Sequence, residues 1–103
     1  MSHPRPHAWS ELTSSPISEE AIRLHHQPAE QYKLYVNTYV GGERVSIKAS
    51  HAFTLYVVQG SCSLQLVETS LPMIEGQWLA LEAQVLDCVV GAEGVRIVKV
   101  FSR

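Results

Sequence analysis

The stretch from Gly41 to Gly60, GGERVSIKASHAFTLYVVQG, decides the fold that this chain is expected to adopt. Between the two glycines, Arg44 to Lys48 is the first of two short runs that are predicted to form β-strands. The run from Phe53 to Val58 is apolar on both faces, so it is expected to form a central strand that is covered on both sides. The stretch therefore predicts two strands of a closed or two-layered β structure.

The same β pattern continues along most of the remaining chain. Turn residues, including Gly41-Gly42, Leu71-Pro72 and Glu75-Gly76, separate short runs rich in β-branched and aromatic residues. Many short strands with frequent turns are typical of an all-β sandwich or barrel. We predict one such domain over residues 21–103, with further strands at Ala21–His26, Gln31–Val40, Ser61–Val67, Gln77–Leu81, Val85–Val90 and Val95–Phe101.

Residues 1–20 differ in composition and are predicted to form an irregular N-terminal arm. They contain three of the five prolines, five serines and one threonine, and Ser18-Glu19-Glu20-Ala21 alone suggests a helical turn. We expect the arm to be extended and to pack on the outside of the domain or on a partner. Trp9 is its expected anchor, because burying a large aromatic side chain contributes a few kcal/mol.

Composition excludes several classes of function. The chain has 103 residues, a formal net charge of −2 and no run of basic residues, so nucleic-acid binding is not expected. It has no apolar segment of membrane-spanning length and no signal-peptide pattern, which predicts a cytoplasmic protein that does not bind membranes. Charged residues make up only 17%, and a surface so poor in charge favours a homodimer.

The two cysteines are interpreted as small apolar core residues. Cys62 and Cys88 form no Cys-x-x-Cys pair, so neither a zinc site of that type nor a thioredoxin-like redox site is indicated. Two cysteines in a cytoplasmic domain are also too few for a disulfide framework.

Two glycine frames, the stretch from Gly41 to Gly60 and the stretch that begins at Gly76, resemble the two sequence motifs of the cupin superfamily. Gly41 and Gly60 match the glycines of the first motif, and Gly76 matches the glycine that opens the second. The segment Tyr56-Val57-Val58-Gln59-Gly60 is similar to the end of the first motif. The resemblance covers residues 41–91 and implies a small jelly-roll barrel with an open or filled lumen. It is closest to sensor-type cupin domains, such as those of some anti-sigma factors.

The resemblance also implies where a metal ion would bind, and those positions have changed. The two histidines and the glutamate of the first motif fall on Ile47, Ala49 and Phe53, and the histidine of the second falls on Asp87. Three of these side chains cannot bind metal, and a divalent ion needs three or four donor atoms in a defined geometry. We therefore expect no metal and no other cofactor.

Two interpretations of the lumen remain open from the sequence. Either Ile47, Ala49 and Phe53 fill it as core, or they line a pocket for a small apolar or aromatic ligand together with Tyr35 and Cys62. The leading hypothesis for function is a metal-free ligand-binding or regulatory protein. A further hypothesis for function is a purely structural or interaction protein, which fits a filled barrel.

The alternative is a metal-independent enzyme, an isomerase, epimerase or cyclase. His51 has the same strand parity as Phe53, and Asp87 occupies the histidine position of the second motif. If both side chains point into the lumen, Asp87 can orient the imidazole of His51 for acid–base catalysis. The competing interpretation is that His51 is a loop residue and Asp87 a surface group.

Overall fold

The computed structural model describes residues 5–26 and 32–102, which form an antiparallel sheet of seven strands and one short α-helix. The predicted all-β class is confirmed. In chain order the elements are β1 (His7–Ala8), a 3-10 turn (Trp9–Glu11), α1 (Glu19–His25), β2 (Tyr32–Tyr39), β3 (Arg44–Ala49), β4 (Phe53–Gln65), β5 (Ser70–Ile74), β6 (Gln77–Leu81) and β7 (Gln84–Ser102).

The two long strands, β4 and β7, hold the structure together. They pair with each other along most of their length, with register shifts between Val57 and Gln59 and between Gly60 and Cys62. On one side of these shifts β4 pairs with β6, and β7 pairs with β2. On the other side β4 pairs with β5, and β7 pairs with β3. Each long strand therefore replaces two shorter strands that the sequence predicted.

Glycine permits the close approach of β4 and β7 at the register shift. Gly60 has φ +79°, and a Cβ placed on it would lie 2.0 Å from the carbonyl oxygen of Gly94. Any other residue would clash with backbone that cannot move away, so the glycine at the end of the first frame is required by the fold.

The inner face of the sheet forms one continuous apolar core. Strand alternation directs Phe53, Leu55 and Val57 inwards from β4, and their neighbours Tyr56 and Val58 face the other side. Both faces of this strand are covered, as predicted. The buried core also contains residues from the second half of β4 and from β3, β5, β6 and β7, namely Ile47, Ala49, Cys62, Leu64, Met73, Leu79, Leu81, Leu86, Cys88, Val90, Val95 and Ile97.

The described part of the N-terminal arm, residues 5–20, packs on the outer face of β4 and β7. Trp9 is 3% exposed and packs with Ile22, Tyr56, Val98 and Val100 in a second apolar cluster. Its Nε1–H donates a hydrogen bond of 3.0 Å to the backbone carbonyl of Ser15. The arm thus packs on its own domain, with Trp9 as the expected anchor.

The strand predicted at Ala21–His26 is wrong, because this segment belongs to α1. The Ser18 hydroxyl accepts a hydrogen bond of 3.0 Å from the amide of Ala21, which caps the helix. Acidic residues occupy its first turn, and Arg23 pairs with Glu19 one turn away. These signals at the helix ends favour a helix over the strand that the short apolar alternation suggested. The helix also spans residue 21, where the β domain was expected to begin.

The turn predicted at Leu71-Pro72 is also wrong. Both residues lie within β5, where Pro72 is exposed and opposite Ser63. Among the described residues β5 pairs only with β4, so it is an edge strand, which is the place where a sheet tolerates proline.

Candidate functional site

A cleft of about 540 Å³ opens at one end of the inner face, where β2, the end of β3, the β3–β4 loop and the C-terminal half of β7 meet. It lies at the mouth of the lumen, next to the filled core. The residues that line it are Lys33, Tyr35, Lys48, Ala49, Ser50, His51, Lys99 and Phe101.

All three lysines of the chain line this one cleft. Lys33 lies on β2, Lys48 on β3 and Lys99 on β7, and the lining includes no carboxylate. Across residues 5–26 and 32–102, none of the three forms an ion pair. The cleft therefore concentrates positive charge in a chain whose net charge is −2, and a concave site with one sign of charge attracts a ligand of the opposite sign.

Lys99 is the most enclosed of the three lysines. It lies on a central strand, directly opposite Tyr35 of β2 on one side and Leu55 of β4 on the other. Its side chain is partly buried, while those of Lys33 and Lys48 are exposed. Burial lowers the pKa of the Lys99 ammonium below its usual value, because a charged group is less stable away from water.

Aromatic side chains form the apolar wall of the cleft. Phe101 stacks on Phe53 with ring centroids 5.3 Å apart, and Tyr35 meets Phe101 edge-on at 5.7 Å. Phe53 is buried beneath this wall, whereas Tyr35 is 48% exposed. A planar apolar group can therefore contact Tyr35 and Phe101 while a charged group of the same ligand reaches the lysines.

The predicted lining residues separate into two groups. Tyr35 and Ala49 line the cleft. Ile47, Phe53 and Cys62 belong to the buried core and are not part of the cleft lining. At these three positions the structure supports the core interpretation of the lumen.

Both cysteines are buried and unbridged, as predicted. A hydrogen bond with Cys88, together with burial, raises the pKa of the Cys62 thiol. A thiol held in its neutral form is a poor nucleophile.

His51 and Asp87 are not brought together. His51 is exposed in the β3–β4 loop and lines the cleft. The carboxylate of Asp87 accepts a hydrogen bond of 3.0 Å from Nε of Arg44 and one of 3.2 Å from the Ser46 hydroxyl, away from the cleft.

Strand parity explains why Asp87 lies outside the lumen. Its neighbours on β7, Leu86 and Cys88, are both buried in the inner core, so Asp87 faces the other side of the sheet. Placing Asp87 at a lumen-facing position was therefore wrong by one residue, and a shift of one residue reverses the face of every side chain in a strand.

The side chains at the metal positions of the resembled family do not fit a metal ion. Ile47, Ala49 and Phe53 face the inner core, and the inward residues nearest Asp87 are Leu86 and Cys88. Within the part of the chain that the structure describes, no three His, Cys, Asp or Glu side chains lie close enough together to hold a metal ion. The donor set is thus too small for a divalent ion in the usual protein geometries.

Reasoning from sequence missed Lys33 and Lys99 as site residues. They are far apart in the chain and meet only because β2 pairs with the end of β7. The available signal was that the chain has only three lysines and that Lys33 shares its strand parity with Tyr35.

Comparison with solved structures identifies similar folds. A cupin superfamily protein from Desulfitobacterium hafniense is 11% identical with a TM-score of 0.60, over 72% of this chain and 69% of that chain. A protein with a cupin-2 domain from Shewanella frigidimarina is 13% identical with a TM-score of 0.58, over 82% and 90%. Ectoine synthase from P. lautus is 20% identical with a TM-score of 0.60, over 72% of this chain and 55% of its own.

Sequence comparison adds nothing to these likenesses. No protein-family model matches the chain, and no curated protein matches it. Among the described residues, no helix is long and apolar enough to cross a membrane.

Proposed function

We propose that this chain, which has the cupin fold, binds a small anionic molecule with an aromatic or apolar part, without the help of a metal ion. The observation that carries this proposal is that Lys33, Lys48 and Lys99 all line one cleft that contains no carboxylate. Lys33 and Lys48, the exposed pair, are the proposed partners of the anionic group.

The chemistry of the lining favours an anionic group, such as a carboxylate, attached to a ring. Lysine ammonium groups are strongly hydrated point charges that pair with carboxylate or phosphate without a fixed geometry. Tyr35 and Phe101 offer aromatic surface next to them. A ligand with both parts uses the whole cleft, whereas a purely apolar ligand would leave the positive charges without partners.

Binding is proposed in preference to catalysis because the acid–base pair suggested by the sequence is not assembled. Asp87 is held by Arg44 on the opposite face of β7 from the cleft. Ligand binding by a small domain, without turnover, matches the sensor or regulatory role that the sequence resemblance implies.

Benzoate is a suitable probe, with benzyl alcohol as its neutral counterpart of similar shape. At about 0.3 kcal/mol per non-hydrogen atom, an anion of this size binds with a Kd on the order of ten millimolar, which a ligand-observed NMR titration can measure. Lys33→Gln and Lys48→Gln should each raise the Kd for benzoate by up to about fivefold, because an exposed ion pair contributes roughly 0.2–1 kcal/mol to binding.

Arg5→Gln is the matched control, because it removes one exposed positive charge outside the cleft. It should leave benzoate binding unchanged, and the two lysine variants should leave benzyl alcohol binding unchanged. If benzyl alcohol binds as tightly as benzoate, or if Arg5→Gln weakens benzoate as much as the lysine variants do, the cleft does not recognise anions and the proposal is wrong.

A further inference from the structure

We infer that the side-chain amine of Lys99 forms a reversible imine with an aldehyde or ketone group of the bound ligand, so that the ligand class is a carboxylate that also carries a carbonyl group. This inference rests on the proposed function, because the carboxylate is what the exposed lysines hold. It adds a covalent step and assigns different roles to the three lysines.

The position of Lys99 in the fold separates it from the other two lysines. It lies on the central strand β7, with Leu55 opposite it on β4 and with Ile97 and Phe101 two residues away on the same face. Leu55 and Ile97 are completely buried, so the stem of Lys99 rises from the filled core into the floor of the cleft. Lys33 and Lys48 also border the cleft, but both are exposed.

The surroundings of Lys99 favour the neutral amine, which is the nucleophilic form. No carboxylate lines the cleft, and Lys99 has no ion-pair partner in the described ranges, so no acidic side chain there stabilises its ammonium form. Burial lowers the pKa of Lys99, and each unit of decrease raises the neutral fraction at neutral pH about tenfold. Desolvated lysines beside other cationic groups are the ones that proteins use for imine formation.

The proposed step balances without an oxidant or a reductant. The Nζ lone pair of Lys99 attacks the carbonyl carbon, and a proton moves from nitrogen to oxygen to give a carbinolamine. Protonation of its hydroxyl group lets water leave as the C=N bond forms, and the addition of water reverses the step. Tyr35 and His51, which line the same cleft, are the proposed proton-transfer groups.

The test compares two probes of nearly the same shape. The first is 4-carboxybenzaldehyde, which has both proposed groups, and the second is 4-(hydroxymethyl)benzoate, which keeps the carboxylate and lacks the carbonyl. The full chain is incubated with the aldehyde and sodium cyanoborohydride, which reduces an imine to a stable secondary amine. Peptide mapping by mass spectrometry then measures adduct formation at each of the three lysines and at the α-amino group.

The expected result is an adduct at Lys99 that forms at least several-fold faster than those at Lys33 and Lys48. Lys99→Arg keeps the positive charge and should remove that adduct, whereas Arg5→Gln, a change outside the cleft, should retain it. Excess 4-(hydroxymethyl)benzoate should slow labelling at Lys99 by competition. Circular dichroism of both variants checks that they are folded.

The two proposals fail in different ways. If 4-(hydroxymethyl)benzoate binds but the adducts are spread evenly over the three lysines, the inference about Lys99 is wrong and the proposed function stands. The inference is equally overturned if total labelling is unchanged in Lys99→Arg. If 4-(hydroxymethyl)benzoate does not bind, the proposed anion site is wrong, whichever amine is labelled.

Discussion

Phe53→Ala is expected to destabilise the fold strongly and to have little direct effect on the ligand site. Phe53 is 4% exposed and stacks on Phe101 at 5.3 Å, so its removal loses both buried area and an aromatic contact. Truncating a buried aromatic residue to alanine typically costs about 3–5 kcal/mol. Phe101 borders the open cleft and can relax towards the space left behind, so we expect the lower end, about 3 kcal/mol.

Urea denaturation followed by tryptophan fluorescence measures this loss. In a thermal melt of a domain of this size, the same loss of about 3 kcal/mol should lower the melting temperature by roughly 12–24 °C. Tyr35→Ala is the matched comparison, because Tyr35 is 48% exposed and its truncation should cost less than about 1 kcal/mol. Tyr35→Ala should instead weaken benzoate binding, since Tyr35 lines the cleft.

The result that would refute this reasoning is the opposite pattern. If Phe53→Ala costs less than about 1 kcal/mol and weakens benzoate more than Tyr35→Ala does, Phe53 lines a ligand cavity and the lumen is not filled. Phe53→Leu provides a milder second variant if the alanine variant does not fold. It should fall between the wild-type chain and the alanine variant in stability.

Three further predictions concern the fold and its assembly. Gly60→Ala should lower the free energy of unfolding, measured by urea denaturation, by several kcal/mol, because its Cβ would clash with the backbone of Gly94. Gly42→Ala, at φ +83° with no atom within 4 Å of the added Cβ, should lower it by only about 1–2 kcal/mol. Equal losses in the two variants would contradict the contact between Gly60 and Gly94. Burial and the adjacent histidine lower the pKa of His26 below 6.5, so near this pH the unfolded chain binds more protons than the folded chain. The free energy of unfolding should therefore fall as the pH drops through 6.5. A His26→Gln variant that keeps the same pH dependence would contradict this role of His26. Light scattering should give twice the chain mass of 11.5 kDa for the expected homodimer, and a monomer at micromolar concentration would contradict it.

Residues near one another in the sequence allowed much of the fold to be predicted. The β-type run at Arg44–Lys48 and the apolar run at Phe53–Val58 indicated β3 and the start of β4, because a strand that is buried on both faces leaves a continuous apolar run. The helix α1 was missed because its seven residues are too few to show a helical apolar period. Its capping serine and acidic first turn were the stronger signal.

The candidate site could be predicted only in part, because pairing between distant strands creates it. Tyr35 and His51 were identified, and both line the cleft. Lys99 joins them through its register with Tyr35, which no local pattern reveals. Asp87 was placed on the wrong face because an alignment uncertain by one residue cannot fix the parity of a strand.

The most direct measurement is a map of backbone amide chemical shifts during a titration with 4-(hydroxymethyl)benzoate. We predict saturable shifts concentrated in β2, in the β3–β4 loop and in the C-terminal half of β7, with the amides of Tyr35, His51 and Lys99 among the largest. The outer face around Trp9 and Tyr56 should change little. Shifts that do not saturate, or that cluster on that outer face, would contradict an anion site in the lysine-lined cleft.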